Sequence, residues 1–336
     1  MSLFSARRGA GTTSSTVEGH LPSFQGATGW LNSEPLTPDG LRRRVVLIDF
    51  WTYTCINWLR TLGYVRAWAA KYRDHGLVVV GVHTPEFPFE HDVDNVRLAV
   101  KDMAVEYPVA LDNGYAVWSA FSNHYWPAVY IADAEGRIRH HQFGEGGYEE
   151  CERNIKQLLR EAGADNVAEH FVPVPSEGLE AQADWANLKT PETYLGYEQA
   201  VNFASPGGAT LDQRRSYDLP DGLALNHWAL SGEWTAERGA SVLNSAAGSI
   251  AFRFHSRDLH LVMGAAERGT SVRFRALIDG RPPGAAHGID VDDQGNGSVS
   301  EPRLYQLIRQ PGAVAERTFE IAFIDRGIEV YAFTFG

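Results

Sequence analysis

Two short apolar runs, separated by a helix-length segment, constrain what the first half of this chain can fold into. Residues 45–51 (VVLIDFW) and 77–82 (LVVVGV) are rich in branched apolar residues, which predicts two buried strands. Between them, apolar side chains recur at helical spacing over residues 56–74, and Gly76 is the kind of residue that ends a helix. A strand, a helix and a parallel strand in this order form a βαβ unit.

The segments that follow complete an α/β domain. The pattern predicts helices over 92–104, 115–122 and 149–162, and strands over 109–111, 128–131 and 137–142. The last two strands are expected to form a hairpin around residues 134–136. A βαβ unit, an insertion and a closing ββα unit make up the core order of thioredoxin-like domains. We therefore predict a thioredoxin-like α/β fold.

The second half of the chain has a different character. Short stretches alternate apolar and polar residues, and turns such as Asp279-Gly280 separate them. Many short strands with such turns predict an all-β, jelly-roll-like sandwich. The predicted organisation is an irregular lead-in over 1–29, the thioredoxin-like domain over 30–163, a linker over 164–193 and the β-sandwich over 194–336.

Composition argues against several classes of partner. The 336-residue chain has a formal net charge of −12 and only short basic clusters, so nucleic acid is not an expected partner. No run of about 18 apolar residues is present, so no membrane span is expected, and the N-terminus lacks the apolar core of a signal peptide. Two cysteines cannot build a disulfide framework. We expect no cofactor and no metal, because no ligand pair has the usual helical or hairpin spacing.

Cys55 is the only plausible nucleophile in the chain. It follows a predicted strand and opens a predicted helix, where unpaired N–H groups and the helix dipole stabilise a thiolate. We therefore expect a lowered pKa for its thiol, against the alternative of a buried structural cysteine. In a thioredoxin-like fold Pro127 would face this cysteine, and the Trp126–Pro127 bond is predicted to be cis.

The same edge of the sheet should gather accessory groups around Cys55, because parallel strands end at one edge. His83, Glu86 and Glu145 are candidate proton carriers, although such residues are more often solvated loop groups. Cys151, near the start of the last predicted helix, is a candidate second thiol, although a thiol without a role is the commoner outcome.

Long strings of residues around these positions resemble the DipZ family of thioredoxin-like proteins. They are FWTYTCIN at 50–57, HTPEFPFE at 83–90, NHYWPA at 123–128, GEGGY at 144–148, ETYLGY at 192–197 and YAFTFG at 331–336. The resemblance implies a thiol–disulfide oxidoreductase that acts on protein thiols and disulfides outside the cytoplasm, periplasmic or membrane-associated. It also implies a C-terminal β-sandwich similar to carbohydrate-binding modules.

One departure from the family pattern bears directly on the chemistry. The family has a second cysteine where this chain has Trp58, so no internal CxxC disulfide can form here. A mixed disulfide at Cys55 then has no resolving thiol within the motif. The expected function is therefore that of a thiol–disulfide oxidoreductase relative with one nucleophilic cysteine, and Thr52, Trp58 and Pro127 complete the predicted site.

Two alternatives stay open. Thr52 lies three residues before Cys55, the T-x-x-C arrangement of peroxiredoxins, which favours a one-cysteine peroxidase acting on peroxide. The other alternative is a redox-inactive protein that presents the sandwich as a binding module. Carbohydrate binding would need exposed aromatic platforms, for which Trp228, Trp234 and Tyr305 are the candidates.

Overall fold

A computed structural model describes residues 16–336 of the protein. These residues form two compact units. Of the described residues, the first unit contains 16–51, Gly63–Thr84 and Val105–Val174, and the second contains Thr52–Leu62, Pro85–Ala104 and Pro175–Gly336. Helix α1 (Ile56–Tyr72) begins in the second unit and ends in the first.

A seven-stranded sheet forms the centre of the first unit, as far as the described residues go. The strands are β1 (Gly19–His20), β2 (Gly29–Leu31), β3 (Val45–Trp51), β4 (Leu77–His83), β5 (Val109–Leu111), β6 (Ala128–Ala132) and β7 (Arg137–Phe143). Their order across the sheet is β1-β7-β6-β3-β4-β5-β2. Strand β4 runs parallel to both β3 and β5, whereas β6 is antiparallel to both β3 and β7. Strands β3, β4 and β7 therefore end at the same edge of the sheet, as predicted.

The helices lie close to their predicted positions. Helix α1 ends at Tyr72, and a 3₁₀ turn over Arg73–His75 follows it. Gly76 closes that turn with a φ of 103°, a backbone conformation that favours glycine. The other helices are α2 (Val93–Asp102), α3 (Ala116–Ala120) and α4 (Tyr148–Glu161).

The core of the first unit explains why the apolar runs form central strands. Val46, Ile48 and Phe50 of β3 are buried in one apolar cluster with Val80 and Val82 of β4. The predicted irregular lead-in is partly wrong, because β1 pairs with β7 and β2 pairs with β5. Short edge strands of this kind carry too few residues for a recognisable alternation. Residues 1–15 of that lead-in lie outside the described part of the chain.

A buried carboxylate fastens α4 to the rest of the first unit. Glu152 is 2% exposed and accepts hydrogen bonds from the Tyr72 hydroxyl at 2.6 Å and the Trp68 indole at 3.1 Å. Lys156 Nζ lies 3.5 Å from the same carboxylate, and the Val172 amide donates to it at 3.1 Å. Burial raises the pKa of Glu152, but these donors outweigh burial and hold that pKa below its usual value.

The bulk of the second unit is an all-β sandwich. Its strands are β8 (Thr193–Tyr194), β9 (Arg214–Tyr217), β10 (Trp228–Ala236), β11 (Ser241–Leu243), β12 (Ser249–Phe254), β13 (Asp258–Ala265), β14 (Val272–Ile278), β15 (Asn296–Val299), β16 (Arg303–Arg309), β17 (Arg317–Phe323) and β18 (Ile328–Phe335). The order is β15-β14-β17-β12-β10-β11-β18-β13-β16, with β8 beside β18 and β9 beside β10. Strand β10 takes part in both layers, since its first half pairs with β12 and its second half with β9 and β11.

Aromatic side chains join the two layers of the sandwich. Phe252 of β12 and Phe333 of β18 have ring centroids 5.1 Å apart. Trp228, Trp234 and Tyr305, the candidates for a sugar-binding platform, are only 2%, 0% and 1% exposed. They belong to the core, the more common place for aromatic residues in a sandwich, and do not form the exposed platform for which they were candidates. Inward-facing positions of a sandwich need large apolar side chains, and these aromatics fill them.

The sequence prediction of fold class is confirmed: a thioredoxin-like α/β fold is followed by an all-β sandwich. None of the helices within residues 16–336 is long and apolar enough to cross a membrane.

Candidate active site

Cys55 lies where the sequence places it, between the end of β3 and the start of α1. Its amide donates a hydrogen bond to the Thr52 carbonyl at 3.3 Å, which closes a tight turn before the helix begins at Ile56. The backbone amides of Asn57 and Trp58 act on the sulfur as hydrogen-bond donors. The predicted position of the thiol at a helix N-terminus is therefore confirmed.

The predicted lowering of the Cys55 pKa is wrong. Burial of the thiol raises its pKa well above the ordinary value, and the Glu86 and Glu192 carboxyls raise it further. The amides of Asn57 and Trp58 lower the pKa, as expected of a helix N-terminus, but they are outweighed. Cys55 as a residue keeps some exposed surface. The resting thiol is therefore protonated at neutral pH although it stands within reach of solvent.

Among the predicted accessory residues, Glu86 is the one whose carboxyl acts on the pKa of the Cys55 thiol. It follows β4 and is partly buried, and the Tyr194 hydroxyl donates a hydrogen bond to its Oε1. Burial raises the pKa of Glu86, and the neighbouring Glu192 and Glu90 raise it further. Glu192 itself is exposed, so water screens part of its influence on Glu86 and Cys55.

Glu90 fixes the loop that carries Glu86. Its carboxylate is fully buried and accepts hydrogen bonds from the amides of Glu86 at 2.6 Å and Phe87 at 2.9 Å. The Thr54 hydroxyl donates to the same carboxylate at 2.6 Å. Glu90 therefore ties the loop after β4 to the residue before Cys55, which is a structural role.

Thr52 and Trp58 are both fully buried, each at 0% exposure. The Thr52 hydroxyl acts on the Glu90 carboxylate and favours its charged form. Nothing in this placement favours the use of that hydroxyl to position peroxide at Cys55. Trp58 lies in the first turn of α1, and its large apolar side chain is buried in the protein core.

Pro127 and His83 belong to the first unit. The Trp126–Pro127 peptide bond is cis, as predicted. Pro127 immediately precedes β6, whose first residue, Ala128, pairs with Phe50 near the end of β3. His83 is fully buried at the end of β4, with its ring centroid 4.8 Å from that of Trp51 in an edge-to-face arrangement. Its burial does not favour a role as a proton carrier.

Glu145 and Cys151 also lie in the first unit. Glu145 is partly exposed in the loop before α4. Cys151 is 1% exposed, and its sulfur lies 3.5 Å from Nε2 of His140. Burial raises the pKa of Cys151 to about 12 and lowers the pKa of His140, so both groups are neutral at neutral pH. This environment does not activate the Cys151 thiol.

Two groups near Cys55 were missed by the sequence reasoning, namely Glu192 and Tyr194. Both belong to the second unit: the Tyr194 hydroxyl donates a hydrogen bond to Glu86 Oε1, and the Glu192 carboxyl raises the pKa of the Cys55 thiol. The only sequence signal was the string ETYLGY at 192–197, which resembles the DipZ pattern but carries no chemistry by itself. A separation of more than 130 residues along the chain hides such contacts from motif analysis.

Comparison with known proteins gives three further findings. The family described as "Thioredoxin like C-terminal domain" matches residues 190–336. "Protein DipZ" of Mycobacterium bovis is 36% identical over 321 residues, which cover 95% of this chain and 43% of that protein. "Thiol-disulfide oxidoreductase YkuV" of Bacillus subtilis is 30% identical over 141 residues, which cover 42% of this chain and 95% of that protein.

Among solved structures, a thioredoxin-like protein in its oxidized form is 30% identical to this chain, with a TM-score of 0.40. The match covers 43% of this chain and 96% of that one. The chain spans less than half the length of the DipZ relative that it matches.

Proposed function

This chain belongs to the thioredoxin-like family of thiol–disulfide oxidoreductases that includes DipZ and YkuV, and on that premise we propose that it catalyses thiol–disulfide exchange with Cys55 as its single nucleophile. The observation that carries the proposal is the position of Cys55. Cys55 is partly exposed as a residue and stands directly before the first turn of α1, and its sulfur faces two backbone amides that stabilise a thiolate.

The exchange requires a thiol from outside the chain. The Cys55 sulfur forms a bond to one sulfur of a substrate disulfide, the substrate S–S bond breaks, and the other sulfur leaves as a thiol. A second, external thiol then attacks the mixed disulfide and releases Cys55 as a free thiol. The second thiol has to come from elsewhere, because Trp58 stands where a resolving cysteine would stand and Cys151 is buried.

Protein thiols and disulfides are the substrates that family membership supports. A compartment outside the cytoplasm is the location proposed from the resemblance to DipZ. Carbohydrate binding by the sandwich has no support from its aromatic residues, since the three candidates are buried.

Turnover with an external thiol tests the proposal. Reduction of a peptide disulfide by excess cysteamine should be faster with the native protein, and Cys55→Ser should abolish the acceleration. Cys151→Ser is the matched control and should keep it, because the buried Cys151 takes no part. Equal rates for the native protein and Cys55→Ser would refute the proposed function.

The raised pKa of Cys55 favours a second candidate function, a redox-inactive binding protein. A thiol that stays protonated at neutral pH reacts slowly with disulfides unless a base removes its proton. The same turnover assay separates the two, because a binding protein would give no acceleration with either cysteine present.

A further inference from the structure

The thiol of Cys55 shares its surroundings with groups that are distant along the chain. Glu86 lies three residues after the end of β4, whereas Glu192 and Tyr194 lie at the start of the C-terminal sandwich. All four residues belong to the second compact unit. The Glu90 carboxylate accepts hydrogen bonds from the Thr54 hydroxyl and from the Glu86 amide, both at 2.6 Å, and so ties the loop of Glu86 to the residue that precedes Cys55. Glu86, Glu192, Tyr194 and Cys55 form the Cys55 cluster.

The position of Tyr194 in this cluster is set by the sandwich. Tyr194 lies on β8 and pairs with Ala332 of β18. Its ring lies 6.3 Å from that of Phe87, and Phe87 also lies 5.3 Å from Tyr331 of β18. The loop that carries Glu86 therefore packs on β8, which carries Tyr194, and on its neighbour β18. This packing brings the Tyr194 hydroxyl to Glu86 Oε1.

We propose that Glu86, positioned by Tyr194, is the acid–base partner of Cys55, so that the C-terminal sandwich supplies part of the exchange site. This inference rests on the proposed function. The Glu86 carboxylate accepts the thiol proton as the Cys55 sulfur bonds to one sulfur of the substrate disulfide. The substrate S–S bond breaks, and the leaving thiolate takes the proton back from Glu86. One thiol and one disulfide thus give one mixed disulfide and one thiol, and no other reactant is needed.

The environment of Glu86 suits this role. Burial raises its pKa, and the negative charges of Glu192 and Glu90 raise it further, whereas the hydrogen bond from Tyr194 opposes the rise. A carboxylate of higher pKa is a stronger base, and its proton affinity is closer to that of the thiol that it serves. The charged groups that raise the pKa of Cys55 are Glu86 and Glu192.

The substitution Glu86→Gln separates a base from a group that acts on Cys55 only through its charge, because the two roles predict opposite changes in the rate of exchange. The negative charge of Glu86 raises the pKa of Cys55, so Glu86→Gln should lower that pKa and increase the thiolate fraction. If charge were the whole effect, the variant would exchange faster at neutral pH. If Glu86 is the base, the variant exchanges more slowly although its thiol is more acidic.

The test measures two quantities on the full chain carrying Cys151→Ala, so that Cys55 is the only thiol. The first is the rate of reaction with hydroxyethyl disulfide, a neutral probe, across a range of pH. The second is the pKa of the thiol, read from the ultraviolet absorbance of the thiolate. We expect Glu86→Gln to have a lower thiol pKa and to react roughly a hundredfold more slowly at pH values above the raised pKa of Glu86, where the native carboxyl is ionised.

Two further variants shift the pH profile in opposite directions. Tyr194→Phe removes a hydrogen bond that lowers the pKa of Glu86, so the low-pH limb of the rate profile should move to higher pH. Glu192→Gln removes a charge that raises the same pKa, so the limb should move to lower pH. Tyr197→Phe and Glu267→Gln, exchanges of the same type elsewhere in the second unit, should leave the profile unchanged.

An unchanged or faster rate in Glu86→Gln would overturn the proposal. If that variant does not fold, unshifted profiles in both Tyr194→Phe and Glu192→Gln would overturn it equally. Failure of the native protein to react with the probe would instead refute the proposed function itself, which keeps the two failures distinct.

Discussion

Trp58→Cys should convert the site into a redox-active dithiol. Residues 55 and 58 are three apart at the start of α1, so their side chains lie on the same face of the helix. A thiol pair of this spacing can close a disulfide in a thioredoxin-like fold. Under oxidising conditions we expect the variant to lose two hydrogens in its intact mass, which the native protein cannot do at this position.

The substitution should also cost stability, because Trp58 is fully buried. Truncation of a buried tryptophan to alanine typically costs 3–5 kcal/mol, and cysteine restores only one heavy atom, so we expect a loss of about 3 kcal/mol. Trp58→Ser leaves a cavity of nearly the same size without a second thiol and is the matched control. Chemical denaturation of the reduced proteins should give similar losses for the two variants.

Reduction of insulin disulfides with dithiothreitol is the functional assay. Activity that appears in Trp58→Cys and not in Trp58→Ser would mean that the second thiol alone is missing from the native scaffold. A folded Trp58→Cys protein whose two thiols stay free in oxidising buffer would refute this reasoning. Its site would then have diverged at more positions than residue 58.

Three other outcomes follow from the structure. Cys55 should alkylate faster than Cys151 in partial labelling read by mass spectrometry, because Cys55 is partly exposed and Cys151 is 1% exposed; equal rates would argue against an accessible site. Glu152→Ala should destabilise the protein by about 3–5 kcal/mol in chemical denaturation, because it leaves a buried lysine without its partner. The folded-state pKa of Glu152 is lowered, so the stability that this carboxylate contributes is present above the unfolded pKa of about 4.3 and is lost as pH falls through the folded value. If Glu152→Ala destabilised the protein as much at low pH as at neutral pH, this reasoning would be wrong. Cystamine, a cationic disulfide, should react with Cys55 several-fold faster than the anionic dithiodipropionate, after correction for their rates with a free thiol, because Glu86 and Glu192 attract cations. Added salt should reduce the difference in rate, and a faster reaction of dithiodipropionate would exclude this electrostatic preference.

The fold was largely predictable because periodicity reports on burial. The runs at 45–51 and 77–82 are apolar at nearly every position, and they became the central parallel strands β3 and β4. The place of Cys55 followed from the same pattern, since a strand must end before a helix begins. Strands β1 and β2 were missed because two or three residues at a sheet edge carry no periodicity.

The electrostatics of the site could not be predicted in the same way. A helix N-terminus predicts a lowered pKa for Cys55, and its amides do act in that direction. The opposing effects come from burial, from Glu86 and from Glu192. Glu192 is 137 residues away along the chain, and its approach depends on tertiary packing. Aromatic residues posed a similar problem, because Trp228 and Trp234 look alike in sequence whether they face the core or the solvent.

In the proposed reaction Cys55 alone forms the mixed disulfide, and an external thiol resolves it. Mass spectrometry of the native protein after reaction with hydroxyethyl disulfide, and again after addition of cysteamine, tests this directly. We expect an adduct on Cys55, none on Cys151, and complete loss of the adduct after the second thiol is added. A folded protein with no adduct on Cys55, or with a disulfide between Cys55 and Cys151, would contradict it.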